Sequence, residues 1–212
     1  MHLLIRPIMP YDVPKFTENP FVLISGFVLL FMAVLTAVFV SRYAAEVYKG
    51  NKKKATLFFV GITAFVTLML FCFFGCAATA VKGCIFCLLL LLSSYEDIRI
   101  RECEDYVHLM IVIAAFIGTD IAALPGMLLS ALLVGGIMLI TTVITKSQIG
   151  GADIKLSAAS AFLLGIKQGF AGLMLGLIAA IFVNIIKNRK KKNTGFPLIP
   201  YLAAGFMAAY FM

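Results

Sequence analysis

Long uninterrupted apolar runs are the feature that most constrains this chain. Short polar stretches separate eight runs, at residues 21–41, 55–74, 76–94, 107–123, 126–144, 153–165, 168–186 and 197–212. A helix of about 20 apolar residues crosses the roughly 30 Å hydrocarbon layer of a bilayer. The runs are continuous, whereas the strands of a membrane barrel alternate between polar and apolar residues. The sequence therefore predicts an all-α polytopic membrane bundle with about eight transmembrane or membrane-embedded segments.

Composition excludes several other classes of protein. Of the 212 residues, 62% are hydrophobic and 13% are charged, about half the charged share of an ordinary soluble domain. These values exclude a soluble globular protein, a disordered chain and a disulfide-stapled mini-protein. The net charge of +8 is best explained by cytoplasmic loops that face anionic lipid. We therefore predict contact with a bilayer that contains anionic lipids, and no nucleic-acid partner.

Two basic loops predict the orientation of the bundle. The segment 42–54 holds Arg42, Lys49, Lys52, Lys53 and Lys54, and the segment 187–196 holds Lys187, Arg189, Lys190, Lys191 and Lys192. The positive-inside rule places both segments in the cytoplasm. Counting spans from them puts 95–106 and 145–152 on the same side, and it puts both termini outside.

Cysteines in the apolar stretches allow more than one interpretation. The Cys84-x-x-Cys87 spacing is compatible with a metal site that Cys72 and Cys76 complete, and a disulfide near the outer face is a second possibility. Packing of small, soft side chains is the favoured interpretation, because no histidine lies near and the surroundings are apolar. We therefore predict no metal and no cofactor, and the role of these cysteines stays open.

Two of the ten acidic residues stand at the edges of apolar runs. Asp97 closes the third run and Asp153 opens the sixth, so the topology places both at the cytoplasmic boundary of the bilayer. Two carboxylates at one depth can share a proton in a low-dielectric site. One then takes a proton from water while the other donates to a scissile carbonyl. The alternatives are a helix cap for Asp153 and an ion pair of Asp97 with Arg99 or Arg101.

Three short motifs resemble one protease family. The stretch 150–156, Gly-Gly-Ala-Asp-Ile-Lys-Leu, resembles the G-x-G-D-x-K-L motif of the prepilin peptidases, a branch of the intramembrane aspartyl proteases. Asp97-Ile98-Arg99 is similar to the D-x-R that ends another helix of that family, and residues 195–205 are similar to its C-terminal Pro-x-x-Pro-x-L-x-x-G helix. Ala152 replaces the second glycine of the first motif. Cys103-Glu104-Asp105 stands where the family has Ile-Pro-Asn.

The resemblance implies an activity and a division of the chain. It covers about residues 76–212, which form the peptidase core of a single unit, while residues 1–75 add a tail and two extra membrane segments. It implies an aspartyl endopeptidase of the prokaryotic inner membrane, with Asp97 and Asp153 catalytic, that removes the short basic leader of type IV pilin-like precursors. The apolar helix of such a precursor lies in the bilayer. Methyltransferase activity is not expected, because segment 42–54 lacks the cytoplasmic insert with C-x-x-C pairs.

Other residues are predicted to support the site. Gly150, Gly151 and Ala152 are small enough for a substrate backbone to approach Asp153. We expect Lys155 to lower the pKa of Asp153 or to orient a substrate carbonyl, with snorkelling to the headgroups as the alternative. Arg99 is the second supporting cation.

Acidic residues around Asp97-Ile98-Arg99 are predicted to attract the basic leader. These residues are Glu96, Glu102, Glu104 and Asp105. Complementary charge accelerates encounter more than it tightens binding. The alternative is a solvated loop with internal ion pairs to Arg99 and Arg101.

Two other functions compete with prepilin processing. The motifs are equally compatible with cleavage of archaeal preflagellins or other class III signal sequences. A non-catalytic scaffold or small transporter is the alternative from another class. Transporters carry ionisable groups near the midplane and paired broken helices, whereas this chain has its acids at the edge and no clear repeat.

Overall fold

The computed structural model describes residues 20–75, 77–144, 150–188 and 197–212, and these residues form helices without strands. In chain order the helices are α1 (Pro20–Val47), α2 (Lys52–Phe74), α3 (Ala78–Ile100), α4 (Asp105–Ala115), α5 (Leu124–Ile144), α6 (Gly151–Leu164), α7 (Ile166–Asn188) and α8 (Ile199–Tyr210). A 3₁₀ turn, Ile121–Ala123, leads into α5. The prediction of an all-α bundle with about eight segments is confirmed.

Five stretches are long and apolar enough to cross a membrane. They are Phe21–Val47, Lys52–Phe74, Ala78–Ile100, Ile121–Ile144 and Ile166–Ile186. By these lengths and compositions the chain is a multi-pass membrane protein. The remaining helices α4, α6 and α8 have 11, 14 and 12 residues, too few to span on their own. The orientation of the termini stays a prediction, and residues 1–19 lie outside the described ranges.

Polar side chains point inward and large apolar ones point outward. On α1, Phe21, Phe27 and Phe39 are 76%, 71% and 66% exposed, whereas Ser130 and Ser157 are fully buried. The Ser130 hydroxyl donates to the Ala161 carbonyl at 2.8 Å and so links α5 to α6. This distribution fits a lipid environment, in which polar groups must be satisfied inside the bundle.

Helices α3 and α6 each sit among four neighbours without packing on each other. Helix α3 contacts α1, α2, α4 and α8, and α6 contacts α4, α5, α7 and α8. Helices α4 and α8 therefore bridge the two. The hairpin of α1 and α2 docks on α3 partly through an edge-to-face contact between Phe59 and Tyr95, whose ring centroids are 5.8 Å apart.

A close backbone approach fixes α8 against α7. A Cβ atom on Gly205 would overlap backbone atoms of Gly172 and Gly176. Small residues are what allow membrane helices to pack this tightly. The contact holds the start of α8, at Ile199, in a defined place within the bundle.

Several helix boundaries differ from the predicted ones, and two of these differences are large. Helix α3 continues to Ile100, so Glu96 and Asp97 lie on a helix and not in the loop 95–106. Arg101 ends α3 in the left-handed conformation, with φ of 58° and its N–H directed at the Asp97 carbonyl. The fourth helix stops at Ala115 instead of 123, because the chain turns at Gly118, whose φ is 62°.

Candidate active site

Asp97 lies in the last turn of α3 and is held by the first residue of α8. Its side chain is 8% exposed, and its Oδ2 accepts the Ile199 N–H at 3.2 Å. A helix N-terminus carries partial positive charge that favours a nearby carboxylate. The next residue, Pro200, has no N–H to offer. Asp97 is therefore a buried carboxyl group that is fixed by a backbone donor at a helix start.

Asp153 lies in the first turn of α6 and is equally buried, at 8% exposure. Its Oδ2 accepts the Gly150 N–H at 3.1 Å, and its own N–H donates to the Gly150 carbonyl at 3.2 Å. Gly150 occupies the N-cap position of α6, and the Asp153 side chain caps the helix by accepting the Gly150 N–H. Burial, and to a lesser extent the negative charge of Asp97, raise the pKa of Asp153 to about 6. The hydrogen bond from the Gly150 N–H acts in the opposite direction and lowers this pKa.

The two carboxyl groups act on each other electrostatically. The charge of Asp97 contributes to the raised pKa of Asp153, although their helices do not pack directly. Like charges in a low-dielectric site do not ionise together easily. The Asp153 carboxyl group therefore holds its proton to a higher pH than a free aspartate does.

The turn before Asp153 is built of small residues. Gly150 and Gly151 are exposed. A Cβ atom on Gly151 would meet nothing within 4 Å, whereas one on Gly150 would lie 3.2 Å from Oδ2 of Asp153. Ala152 is half-buried in the first turn of α6. The described residues thus leave space at Gly151, whereas Gly150 lies against the Asp153 carboxyl group.

The predicted supporting cations point away from the aspartates. Lys155 Nζ lies 2.6 Å from Asp105 Oδ1 in an exposed ion pair, and this ammonium holds the pKa of Asp105 below its usual value. Lys155 therefore does not set the pKa of Asp153, contrary to expectation. Arg99 lies over the Tyr95 ring, 5.5 Å from its centroid, and Arg101 is the cation whose charge acts on Asp97.

Glu96 is not an exposed acid, which corrects the location expected for it. Its side chain is fully buried. It accepts the hydroxyls of Tyr48 at 2.8 Å and Tyr106 at 3.4 Å, and the Glu104 N–H at 3.1 Å. These three donors compensate the loss of hydration on burial. Glu96 therefore joins the turn after α1 to the loop between α3 and α4.

The other predicted leader-binding acids lie at the surface. Glu102, Glu104 and Asp105 are exposed. Asp105 is already paired with Lys155. Of these three acids, Glu102 and Glu104 form no ion pair with another described residue.

Two contacts of the site have no clear signal in the sequence. The Ile199 N–H is a backbone group, so only the fold reveals that it binds Asp97. The Tyr48 hydroxyl reaches Glu96 across 48 positions. His108, to which the sequence analysis gives no role, is buried in α4 beside Asp105 and Lys155.

Within the described ranges no group of three histidine, cysteine or acidic side chains is placed to hold a metal. Cys84 and Cys87 are buried free thiols, and Cys72 is an exposed one. Cys84 Sγ lies 3.4 Å from the Thr67 hydroxyl. Cys76 lies outside the described residues.

One family model matches the part of the chain that carries both aspartates. Residues 84–186 match the type IV leader peptidase family. The match confirms the resemblance to the prepilin peptidases that the motifs indicate. It begins inside α3 and ends inside α7, before α8. No curated protein and no solved structure matched the chain.

We expect Asp153→Asn to change the pH dependence of stability. The pKa of Asp153 is about 6 in the fold and about 4 in an unfolded chain. The folded state therefore binds this proton more tightly, and wild-type stability falls as pH rises between these values. Asparagine removes this effect, so the variant gains on wild type across that window by up to roughly 2 kcal/mol. Unfolding in detergent micelles between pH 4 and pH 7.5 measures the difference.

Lys155→Gln is the control for this measurement. Because Lys155 pairs with Asp105, it should leave the pH slope that Asp153 causes intact. Equal slopes for wild type and Asp153→Asn would show that the fold does not raise the pKa of Asp153.

Proposed function

We propose that this chain is an intramembrane aspartyl endopeptidase that removes the short basic leader from type IV pilin-like precursors. The observation that carries the proposal is the pair of buried carboxyl groups, Asp97 and Asp153, within the segment that matches the leader peptidase family. Each accepts one backbone N–H at the start of a helix, Asp97 from Ile199 and Asp153 from Gly150. Such a pair hydrolyses a peptide bond without a nucleophilic side chain.

The environments of the two carboxyl groups suggest their roles. Asp153, whose pKa is near 6, keeps its proton to higher pH and is suited to be the acid. Asp97, at the N-terminus of α8, is suited to be the base. Asp97 takes a proton from water as the water oxygen attacks the scissile carbonyl, and Asp153 protonates the carbonyl oxygen. As the C–N bond of the tetrahedral intermediate breaks, Asp97 gives its proton to the leaving nitrogen, and Asp153 regains a proton from a hydroxyl of the intermediate.

We further propose that the reaction takes place at the cytoplasmic boundary of a prokaryotic inner membrane. Tyr48 contacts Glu96, and a Cβ atom on Gly50 would overlap the Tyr95 hydroxyl, so the basic segment 42–54 lies at the same end of the bundle as Asp97. The positive-inside rule assigns that end to the cytoplasm. The second basic segment, 187–196, lies largely outside the described residues. Residues 76–212 would carry the reaction, and residues 1–75 would be an addition to this core.

We expect Asp97→Asn and Asp153→Asn each to abolish cleavage. Each removes the acid–base function and keeps side-chain size, so cleavage should fall by at least about 100-fold. The measurement is formation of the shorter product from a pilin-like precursor in membranes that hold equal amounts of each variant.

Asp120→Asn is the matched control, because Asp120 caps a 3₁₀ turn at Ile121–Ala123 and is remote in sequence from both catalytic candidates. It should cleave at the wild-type rate. Continued cleavage by either catalytic variant would contradict the two-aspartate mechanism. If wild type cuts archaeal preflagellin leaders and not pilin leaders, the enzyme is a preflagellin peptidase. If wild type cuts neither kind of leader, the non-catalytic scaffold becomes the favoured hypothesis.

Of the four acids predicted to attract the basic leader, Glu102 and Glu104 are the two that we propose for this role, because Glu96 is buried and Asp105 is paired with Lys155. We expect their double replacement by glutamine to slow cleavage of leaders with four basic residues more than of leaders with one. The effect should be severalfold at low salt and should fade at high salt, because it acts through steering. Glu46→Gln, another exposed acid at the same end, is the control. An unchanged dependence on leader charge would exclude this role.

An apolar groove beside Asp97 suits the hydrophobic helix of the precursor. It has a volume of about 170 Å³ and lies between α2, α3 and α8. Ile98 and Pro200 line it next to the residues of the Asp97–Ile199 bond, and Cys87 lines it farther along α3. From Cys87 to Ile98 the helix rises about 16 Å. We propose that the precursor helix begins at the aspartates and lies along this groove.

We expect Ala204→Phe to slow cleavage of the full precursor without slowing cleavage of a short leader peptide. Ala204 lines the groove and is exposed, so a phenyl ring fills the groove without disturbing the core. Cleavage of the full precursor should fall about tenfold, as expected for a steric cost of about 1–3 kcal/mol. A short leader peptide without the apolar helix should be cut at the wild-type rate.

Ala208→Phe, also exposed on α8 and outside the groove lining, is the control. If the two phenylalanine variants treat both substrates alike, the precursor helix does not lie in this groove.

A further inference from the structure

A second cavity lies in the hairpin of α1 and α2, among residues that the proposed reaction does not use. Its volume is about 720 Å³. Three cationic side chains line it, Arg42, Lys52 and Lys53, together with the apolar side chains of Val38, Leu57 and Val60. The three cations are nearer the turn between the two helices, and the apolar residues are farther from it along each helix.

The cavity keeps positive charge that the protein does not neutralise. Lys52 pairs with Glu46 at 3.4 Å, in a bridge that is mostly exposed and so contributes little. Within the described residues neither Arg42 nor Lys53 has an acidic partner. Two free cations therefore stand at one end of an otherwise apolar cavity.

The walls of the cavity are fixed by a contact between the two helices. The buried Ser41 hydroxyl of α1 donates a hydrogen bond to the Thr56 hydroxyl of α2 at 3.1 Å. Thr56 itself lines the cavity. Because this bond sets the spacing of the helices, a ligand does not have to open the space it occupies. Preformed sites lose less free energy to ordering when they bind.

The order of the lining matches one class of ligand. Both helices are long enough to span a membrane. In that orientation the cations near the turn would lie at the depth of lipid headgroups and the apolar side chains at the depth of acyl chains. Basic pockets between membrane helices bind anionic headgroups. We propose that this cavity binds one anionic phospholipid, with its phosphate at Arg42 and Lys53 and an acyl chain along Val38, Leu57 and Val60.

The test measures how many lipid molecules of each kind bind to the full-length protein. Delipidated protein in detergent is titrated with dioleoylphosphatidylglycerol, and in parallel with dioleoylphosphatidylcholine, and native mass spectrometry reports the bound lipid per chain. Wild type should bind one phosphatidylglycerol in preference to phosphatidylcholine. Lys53→Gln should weaken this binding about fivefold and Arg42→Gln with Lys53→Gln about 25-fold, as expected for the loss of one and two cations.

Lys54→Gln is the matched control. Lys54 is the next residue of α2 and carries the same charge, but it does not line the cavity. The cap of α2 uses the backbone N–H groups of Lys53 and Lys54, so both variants keep it. Circular dichroism and gel filtration check that each variant is folded. Lys54→Gln should bind phosphatidylglycerol within about twofold of wild type.

Three results would each overturn the proposal. Equal weakening by Lys53→Gln and Lys54→Gln would indicate a general surface attraction. Equal binding of phosphatidylcholine would show that the cations do not select the headgroup. Displacement of phosphatidylglycerol by millimolar inorganic phosphate would indicate a site for soluble phosphate.

Discussion

The site depends on the hydrogen bond from the Ile199 N–H to Asp97, because this bond ties the end of α3 to the start of α8. Helix α8 starts at Ile199 and is locked against α7 where Gly205 meets Gly172 and Gly176. Helix α7 in turn follows α6 after the single residue Gly165. The position of Asp97 relative to Asp153 is therefore set through the intervening helices α4, α7 and α8, and not by direct packing of α3 on α6.

Buried acids in a membrane protein require compensation, and this bundle provides it with backbone and hydroxyl donors. Asp97 and Asp153 each receive one N–H, whereas Glu96 receives three donors. A carboxylate with several donors is satisfied and inert, while one with a single donor retains acceptor capacity for water or substrate. The difference separates the structural acid from the two candidate catalytic ones, although Glu96 and Asp97 are adjacent in the sequence.

The sequence was sufficient for the helices and for the two aspartates, because both follow from local patterns. Apolar runs of membrane length define the spans, and the turn from Gly150 to Ala152 marks the start of α6. Contacts between distant segments were not predictable in this way. Lys155 pairs with Asp105 across 50 positions rather than with its neighbour Asp153, and Glu96 turns inward because α3 continues past residue 94.

The burial of Glu96 shows that the unit that folds is larger than the unit that the family match defines. Residues 84–186 contain both aspartates, but Tyr48, a donor to Glu96, precedes this segment, and Ile199, the donor to Asp97, follows it. Ile199 therefore makes α8 part of the site, and Tyr48 ties the turn after α1 to the end of α3 beside it. A relative that retains the matched segment but replaces its flanks must supply these two donors from other residues.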